Sequence, residues 1–93
     1  MPMTPPSHLD GARVLAWAWS GLPFGHVTSE DGAAPIAIHG LAVCRYGDDA
    51  QVYRFSCDAH WETVQDEVHA GEHDAREQLP AQYRAVAAVW NTP

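Results

Sequence analysis

Hydrophobic and polar residues alternate most clearly over residues 51–57. One parity holds Gln51, Tyr53, Phe55 and Cys57. A period of two that is rich in aromatic residues is typical of a half-buried strand. Asp58 favours a turn, because its side chain can bond the nearby backbone, and residues 62–69 continue in an extended pattern. The sequence therefore predicts a β-hairpin over residues 51–69 with an aromatic residue, Trp61, at its tip.

An earlier strand is predicted over residues 12–20. Leu15, Trp17 and Trp19 share one parity, and the other holds small residues that would let a helix pack closely. In a helix the two tryptophans would point about 200° apart, so a strand fits better. Gly and Pro in residues 21–25 end this strand. Residues 26–34 are predicted as a mobile loop with a short extended start over 26–28.

A third apolar segment runs over residues 36–46 and leads into the hairpin. Gly40 inside it indicates a bulge or a bend. If residues 47–50 form a four-residue loop, Cys44 lies opposite Tyr53 and Ala42 lies opposite Phe55. The predicted buried face then comprises Ala42, Cys44, Tyr53, Phe55 and Cys57.

The same register keeps the two cysteines apart. Cys44 and Cys57 would lie four strand positions apart, about 13 Å at ~3.3 Å per residue. A disulfide requires Cα atoms within about 7 Å. We therefore predict two free, largely buried thiols.

The pattern becomes helical after residue 70. Residues 71–74 resemble a helix start with acids in the first turn, and residues 75–79 are strong helix formers. Pro80 must end or kink the helix, because it lacks an N–H group. One stripe holds Ala75, Leu79, Tyr83 and Val86. Trp90 is expected to dock on the core.

These elements predict an α+β fold: an antiparallel sheet of about four strands, in the order β-β-β-β-α, with one C-terminal helix packed on a face. Residues 1–11 are predicted to be a disordered, Pro-rich lead-in, and residues 12–93 a single domain. The lead-in lacks the basic and apolar regions of a signal peptide, and no apolar run approaches ~20 residues. We therefore expect a cytoplasmic protein that does not associate with membranes.

Charge narrows the choice of partner. The net charge is −7, with five Arg and no Lys. Phosphate backbones attract basic surfaces, so direct binding to nucleic acid is disfavoured. Acidic residues concentrate in the hairpin and the helix, where they form either a solvated surface or a site for a basic protein. The candidate binding residues are Asp58, Trp61, Glu62, Asp66, Glu67 and Glu72.

One cluster could hold a metal ion. Cys57, His60, His69 and His73 supply four ligands suited to zinc. Against this, Cys57 has the parity of the buried face, and the last two histidines straddle the boundary between strand and helix. A core cysteine with surface histidines is the favoured interpretation, and no cofactor is expected.

Catalytic groups are not apparent. Cys57, His60 and Asp58 provide the residue types of a nucleophilic site. Adjacent Cys and Asp point to opposite faces of a strand, however, and a neighbouring acid disfavours the thiolate. No glycine pattern indicates a phosphate-binding loop. We predict no catalytic residue.

The C-terminal half resembles a type of small, uncharacterised bacterial protein. The shared pattern is an aromatic-rich strand, Cys-Asp, a Trp at the turn, an Asp-containing strand and then a helix with a Tyr. Its carriers here are Tyr53, Phe55, Cys57, Asp58, Trp61, Asp66, Ala75, Arg76, Gln78 and Tyr83. The resemblance covers residues 41–90, supports the fold and implies no activity.

The leading hypothesis is a non-enzymatic module that binds another, basic protein. An inhibitor or immunity-like protein that covers a basic nuclease surface is a specific form of it. One alternative is a zinc-binding protein that uses the Cys/His cluster. Another is a structural homodimer that pairs exposed sheet edges, so both a monomer and a homodimer remain open.

Overall fold

The structure is a computed structural model that describes residues 4–28 and 34–93. Within these ranges the strands are β1 (His8–Leu9), β2 (Ala12–Trp19), β3 (Gly25–Val27), β4 (Ile36–Ile38), β5 (Gly40–Arg45), β6 (Val52–Cys57) and β7 (Thr63–His69). A short helix, α1 (Glu72–Glu77), and a 3₁₀ turn (Ala81–Tyr83) follow. The main sheet is antiparallel with the order β1-β2-β5-β6-β7, and β3 and β4 form a separate ribbon.

The α+β architecture, with an antiparallel sheet and one helix, is confirmed. The predicted number of about four strands is one short, because the main sheet has five. The missed strand, β1, is only two residues long and joins β2 through a tight turn. Asp10 and Gly11 in that turn have φ of 49° and 83°, as two-residue hairpin loops require. Leu9, inside the segment assigned to the lead-in, is buried and belongs to the core.

Two sequence predictions fall partly outside the described residues. The lead-in includes residues 1–3, and the predicted loop over 26–34 includes residues 29–33, all of which lie outside the description. In the part that is described, the short extended start of the loop is part of β3, which pairs with β4. Residue 39 separates β4 from β5, so the bend predicted at Gly40 occurs one residue earlier.

The predicted register between the segment over residues 36–46 and the strand over residues 51–57 is confirmed. Cys44 pairs with Tyr53 and Ala42 pairs with Phe55, as a four-residue loop requires. The strand over residues 12–20 is β2, and it pairs with β5. Its predicted alternation fails at one point, because a register shift between Val14 and Ala16 moves Val14 to the face that carries the tryptophans.

The main sheet has two unlike faces. We call the face that carries Val14, Ala42, Cys44, Phe55 and Cys57 the open face. The opposite, covered face carries Ala16, Ala18, Leu41, Val43 and Val52. Helix α1, the 3₁₀ turn and the β3–β4 ribbon pack on the covered face through Ala75, Tyr83, Phe24 and Ile38. The residues that follow α1, 78–93, are called the C-terminal segment. The small residues of β2 lie beneath α1 and this segment, as their size predicted.

The C-terminal segment is held by specific bonds. The backbone N–H and C=O of Trp17 bond Asn91 at 2.9 and 2.7 Å, and Trp90 packs on the covered face. The Tyr83 hydroxyl donates to Gln65 Oε1 at 2.6 Å. The predicted docking of Trp90 is confirmed.

A buried arginine joins α1 to the sheet. Arg54, only 1% exposed, donates from Nη1 to the carbonyl oxygens of Ala75 (3.1 Å) and Gln78 (3.0 Å). Its Nη2 lies 3.3 Å from a Glu67 carboxylate oxygen. Burial lowers the pKa of the Arg54 guanidinium, and the charge of Glu67 opposes that shift. Since α1 has only six residues, it depends on such contacts rather than on helix propensity.

Candidate binding face

Aromatic side chains cover much of the open face. Trp17 meets Trp61 edge-on, with ring centroids 6.2 Å apart. Tyr53 contacts Tyr46 at 5.4 Å and Phe55 at 6.4 Å. Among the described residues, only Trp61 and side chains of the sheet itself form the core cluster on this face. No residue of α1 belongs to that cluster, and of the rings on this face Tyr46 is exposed whereas Trp17 and Tyr53 are half-buried.

The tip of the hairpin differs from the sequence prediction. Trp61 was a candidate binding residue, but it is only 4% exposed and lies against Gly40. The Asp58 carboxylate accepts the backbone N–H groups of His60 (2.8 Å) and Glu62 (3.0 Å). These bonds close a tight loop in which Trp61 adopts φ of 64° and turns inward. Trp61 is therefore a core residue and not part of the accessible surface.

The accessible part of the open face lies at its β7 end. Val68 is 48% exposed and pairs with Tyr53, while the exposed Asp66 pairs with Phe55. Tyr46, at 36% exposure, stands beside Tyr53. Paired residues share a face, so an apolar and aromatic strip here borders an acidic side chain.

Negative charge reaches this strip from two sides. Burial raises the pKa of Tyr46, and the charges of Asp10 and Asp66 raise it further. Asp10 lies in the β1–β2 turn, whereas Asp66 lies on β7. The exposed phenol of Tyr46 therefore lies in the electric field of two carboxylates that belong to opposite edges of the sheet.

The predicted acidic residues do not form one patch. Asp66 lies on the open face, and Asp58 and Glu62 lie at the tip of the hairpin. Glu67 and Glu72 point to the other side and are engaged there in ion pairs. Glu67 lies 3.3 Å from Arg54 and 3.1 Å from His69, and Glu72 lies 2.9 Å from Arg76.

The four predicted metal ligands do not converge. Cys57 lies on the open face beside Thr63, whereas His69 pairs with Val52 at the other end of β6. Five strand residues separate these two positions, about 16 Å. His60 and His73 are exposed on the hairpin tip and on α1. Across the described ranges, no three His, Cys, Asp or Glu side chains group as a metal site would require.

Both thiols are free and buried, as predicted. Burial raises the pKa of Cys44 to about 12, and the nearby Cys57 adds to that shift. Burial likewise raises the pKa of Cys57 to about 12, although its contact with Thr63 opposes this. A thiolate is the reactive form of cysteine, so neither residue is disposed to act as a nucleophile near neutral pH.

Among the described residues, no strand pairs with the outer edge of β7. This strand is the last of the main sheet, seven residues long, and residues 65–68 are exposed. Such an edge presents backbone N–H and C=O groups that can pair with a further strand.

Within the part of the chain that is described, no helix is long and apolar enough to cross a bilayer.

Sequence reasoning missed Tyr46 and Val68 as surface residues. The hairpin register could have placed Val68 beside Tyr53, but the position of the helix decides which face stays accessible. Comparisons with models of protein families, with curated proteins and with solved structures find no match for this chain.

Proposed function

We propose that this protein is a non-enzymatic interaction module that binds a basic, extended segment of another protein. The segment pairs with the outer edge of β7 and places alternate side chains on the open face. The observation that carries the proposal is the strip beside that edge, in which the exposed Tyr46, Val68 and Asp66 surround the partly buried Tyr53. Strand addition of this kind gains affinity from backbone hydrogen bonds and specificity from alternate side chains.

Charge supports a basic partner. The chain carries −7, and the acidic groups Asp10 and Asp66 flank the exposed Tyr46. Complementary charge speeds encounter and selects among partners. A Lys or Arg side chain of the bound segment would approach one of these carboxylates, with its aliphatic part against the aromatic rings. An inhibitor that covers a basic active-site surface is one form that this binding would take.

Pairing of two copies through β7 is less well supported. A symmetric antiparallel pairing over Thr63–His69 is centred on Asp66, which places Asp66 of one copy directly opposite Asp66 of the other. Like charges directly opposite each other destabilise a strand pair. The same acids therefore discourage the homodimer and attract a basic partner.

The experiment compares capture from a host lysate by the wild-type protein and by surface variants. Asp66→Arg and Val68→Arg change the open face at exposed positions. Glu77→Arg makes the same kind of change at an exposed position on α1 and serves as the matched control. Melting temperatures of all variants should agree within a few degrees, because exposed positions tolerate substitution.

We expect one basic protein to be retained by the wild type and by Glu77→Arg, and to be lost by both open-face variants. Retention of every captured protein by Asp66→Arg and Val68→Arg would reject the proposal. Equal loss with Glu77→Arg would also reject it, since non-specific charge attraction would then explain the capture.

A further inference from the structure

Three basic side chains stand in a row across one end of the main sheet. His8 on β1 pairs with Arg13 on β2, and Arg13 pairs with Arg45 on β5. Directly paired residues point to the same side of a sheet, with Cβ atoms about 4.5–5.5 Å apart. Their chain neighbours Ala12 and Cys44 belong to the open face, so the row lies on the opposite side.

The two arginines of the row lack a counter-charge. Of the five arginines, Arg54 pairs with Glu67 and Arg76 pairs with Glu72, while Arg84 donates to a carbonyl oxygen. Over residues 4–28 and 34–93, neither Arg13 nor Arg45 forms an ion pair.

This arrangement is costly in an acidic chain. The sequence offers twelve acidic residues for five arginines, yet two arginines face each other across paired strands. Like charges in that position are destabilising. In addition, the Nε atom of Arg45 is buried and has no hydrogen-bond partner among the described residues. An anion between the guanidinium groups would relieve the repulsion between them.

A hollow at this position has room for such an anion. It has a volume of about 260 Å³ and is lined by His8, Gly11, Arg13, Arg45, Gly47 and Asp48. Pockets for drug-sized ligands span roughly 300–1,000 Å³, so this one suits a small group. Gly11 and Gly47 adopt φ of 83° and 51° in the two turns that frame it, and neither adds a side chain to the rim.

We propose that this hollow binds a phosphate group, held between Arg13 and Arg45 with His8 as a third donor. Guanidinium groups bind phosphate through paired, charge-assisted hydrogen bonds, and two of them match the charge of a phosphate dianion. The Asp48 carboxylate on the rim repels the anion and weakens its binding. This site lies on the opposite side from the open face and does not depend on the proposed protein partner.

The test is a titration of the protein with inorganic phosphate at constant ionic strength, followed by two-dimensional amide NMR. We expect saturable shifts at residues lining the hollow, with affinity at least tenfold lower in Arg13→Gln and in Arg45→Gln. The matched control Arg84→Gln, which lies in the C-terminal segment, should bind as the wild type does. Asp48→Asn should bind phosphate several-fold more tightly.

Other results would overturn the site. These are shifts that do not saturate, or equal shifts with chloride. A phosphate affinity that is unchanged in all three single variants, Arg13→Gln, Arg45→Gln and Asp48→Asn, would also overturn it. Equal loss in Arg84→Gln would assign the binding to general charge attraction. Acetate that binds as tightly as phosphate would reject the phosphate assignment, because acetate carries one negative charge whereas two guanidinium groups match a phosphate dianion.

Discussion

Replacing Arg54 with methionine tests what holds the helix on the sheet. The substitution keeps an unbranched apolar side chain but removes the donors to the carbonyl oxygens of Ala75 and Gln78. Each hydrogen bond to a charged donor contributes about 1.5–3 kcal/mol. Glu67 is 55% exposed, so its ion pair with Arg54 adds only about 0–1 kcal/mol.

The expected loss is smaller than the sum of these contributions. Methionine avoids the desolvation that lowers the pKa of Arg54, which offsets part of the lost bonding. We expect the free energy of unfolding to fall by about 2–4 kcal/mol. For a chain of 93 residues, typical stability is about 5–14 kcal/mol, so the change is a large fraction of the total.

The assay is urea unfolding followed by tryptophan fluorescence and circular dichroism. The control is Arg76→Met, which removes a partly exposed arginine that pairs with Glu72 within α1 and lies 5.9 Å from the Trp90 ring. Such surface contacts are worth about 0.5–1 kcal/mol together. A loss in Arg54→Met that is no larger than in Arg76→Met would refute the reasoning. Arg54→Lys keeps the charge without the planar fork and should fall between them.

Three further predictions follow from close packing and burial. Gly25→Ala should destabilise by more than about 1–3 kcal/mol, because a methyl group there would overlap the Gln82 carbonyl oxygen; an unchanged urea midpoint would contradict this. Gly40→Ala would place its Cβ 2.6 Å from the Trp61 ring, so we expect a stability loss of about 1–3 kcal/mol and a red-shifted fluorescence spectrum. Burial raises the pKa of both thiols to about 12 from 9.0, so the unfolded state ionises first above pH 9. Stability should then fall by up to about 1.4 kcal/mol per thiol and pH unit, and a variant with both cysteines changed to alanine should show a shallower decline between pH 8 and 10.

The hairpin of β5 and β6 and its register follow from the sequence, because both depend on local features. The loop over residues 47–50 has a fixed length, and the alternation over residues 51–57 has one apolar face. These two features placed Cys44 opposite Tyr53 and kept the thiols apart, as the structure confirms. The end of α1 before Pro80 and the packing of Trp90 on the core were likewise predictable from the sequence.

Other features depend on tertiary packing that the sequence pattern does not express. Arg54 has the parity of a polar, solvent-facing position, but α1 covers that side and uses the arginine to bind its last carbonyl groups. Trp61 lies in a segment whose composition is typical of an exposed turn. The hydrogen bonds from the backbone of its two neighbours to the Asp58 carboxylate turn its side chain inward over Gly40. Asp66 and Glu67 are adjacent on β7 and so point to opposite faces, but the position of α1 decides which of them meets a buried arginine.

Which face the partner covers is measured most directly by hydrogen exchange of the wild-type protein, free and bound to the protein that it captures. We predict slower exchange of the backbone amides of β7, over Thr63–His69, together with Tyr46 and its loop. Amides of α1, Glu72–Glu77, should be unchanged. Slowed exchange confined to α1 and the C-terminal segment, with β7 unaffected, would contradict the proposed binding face.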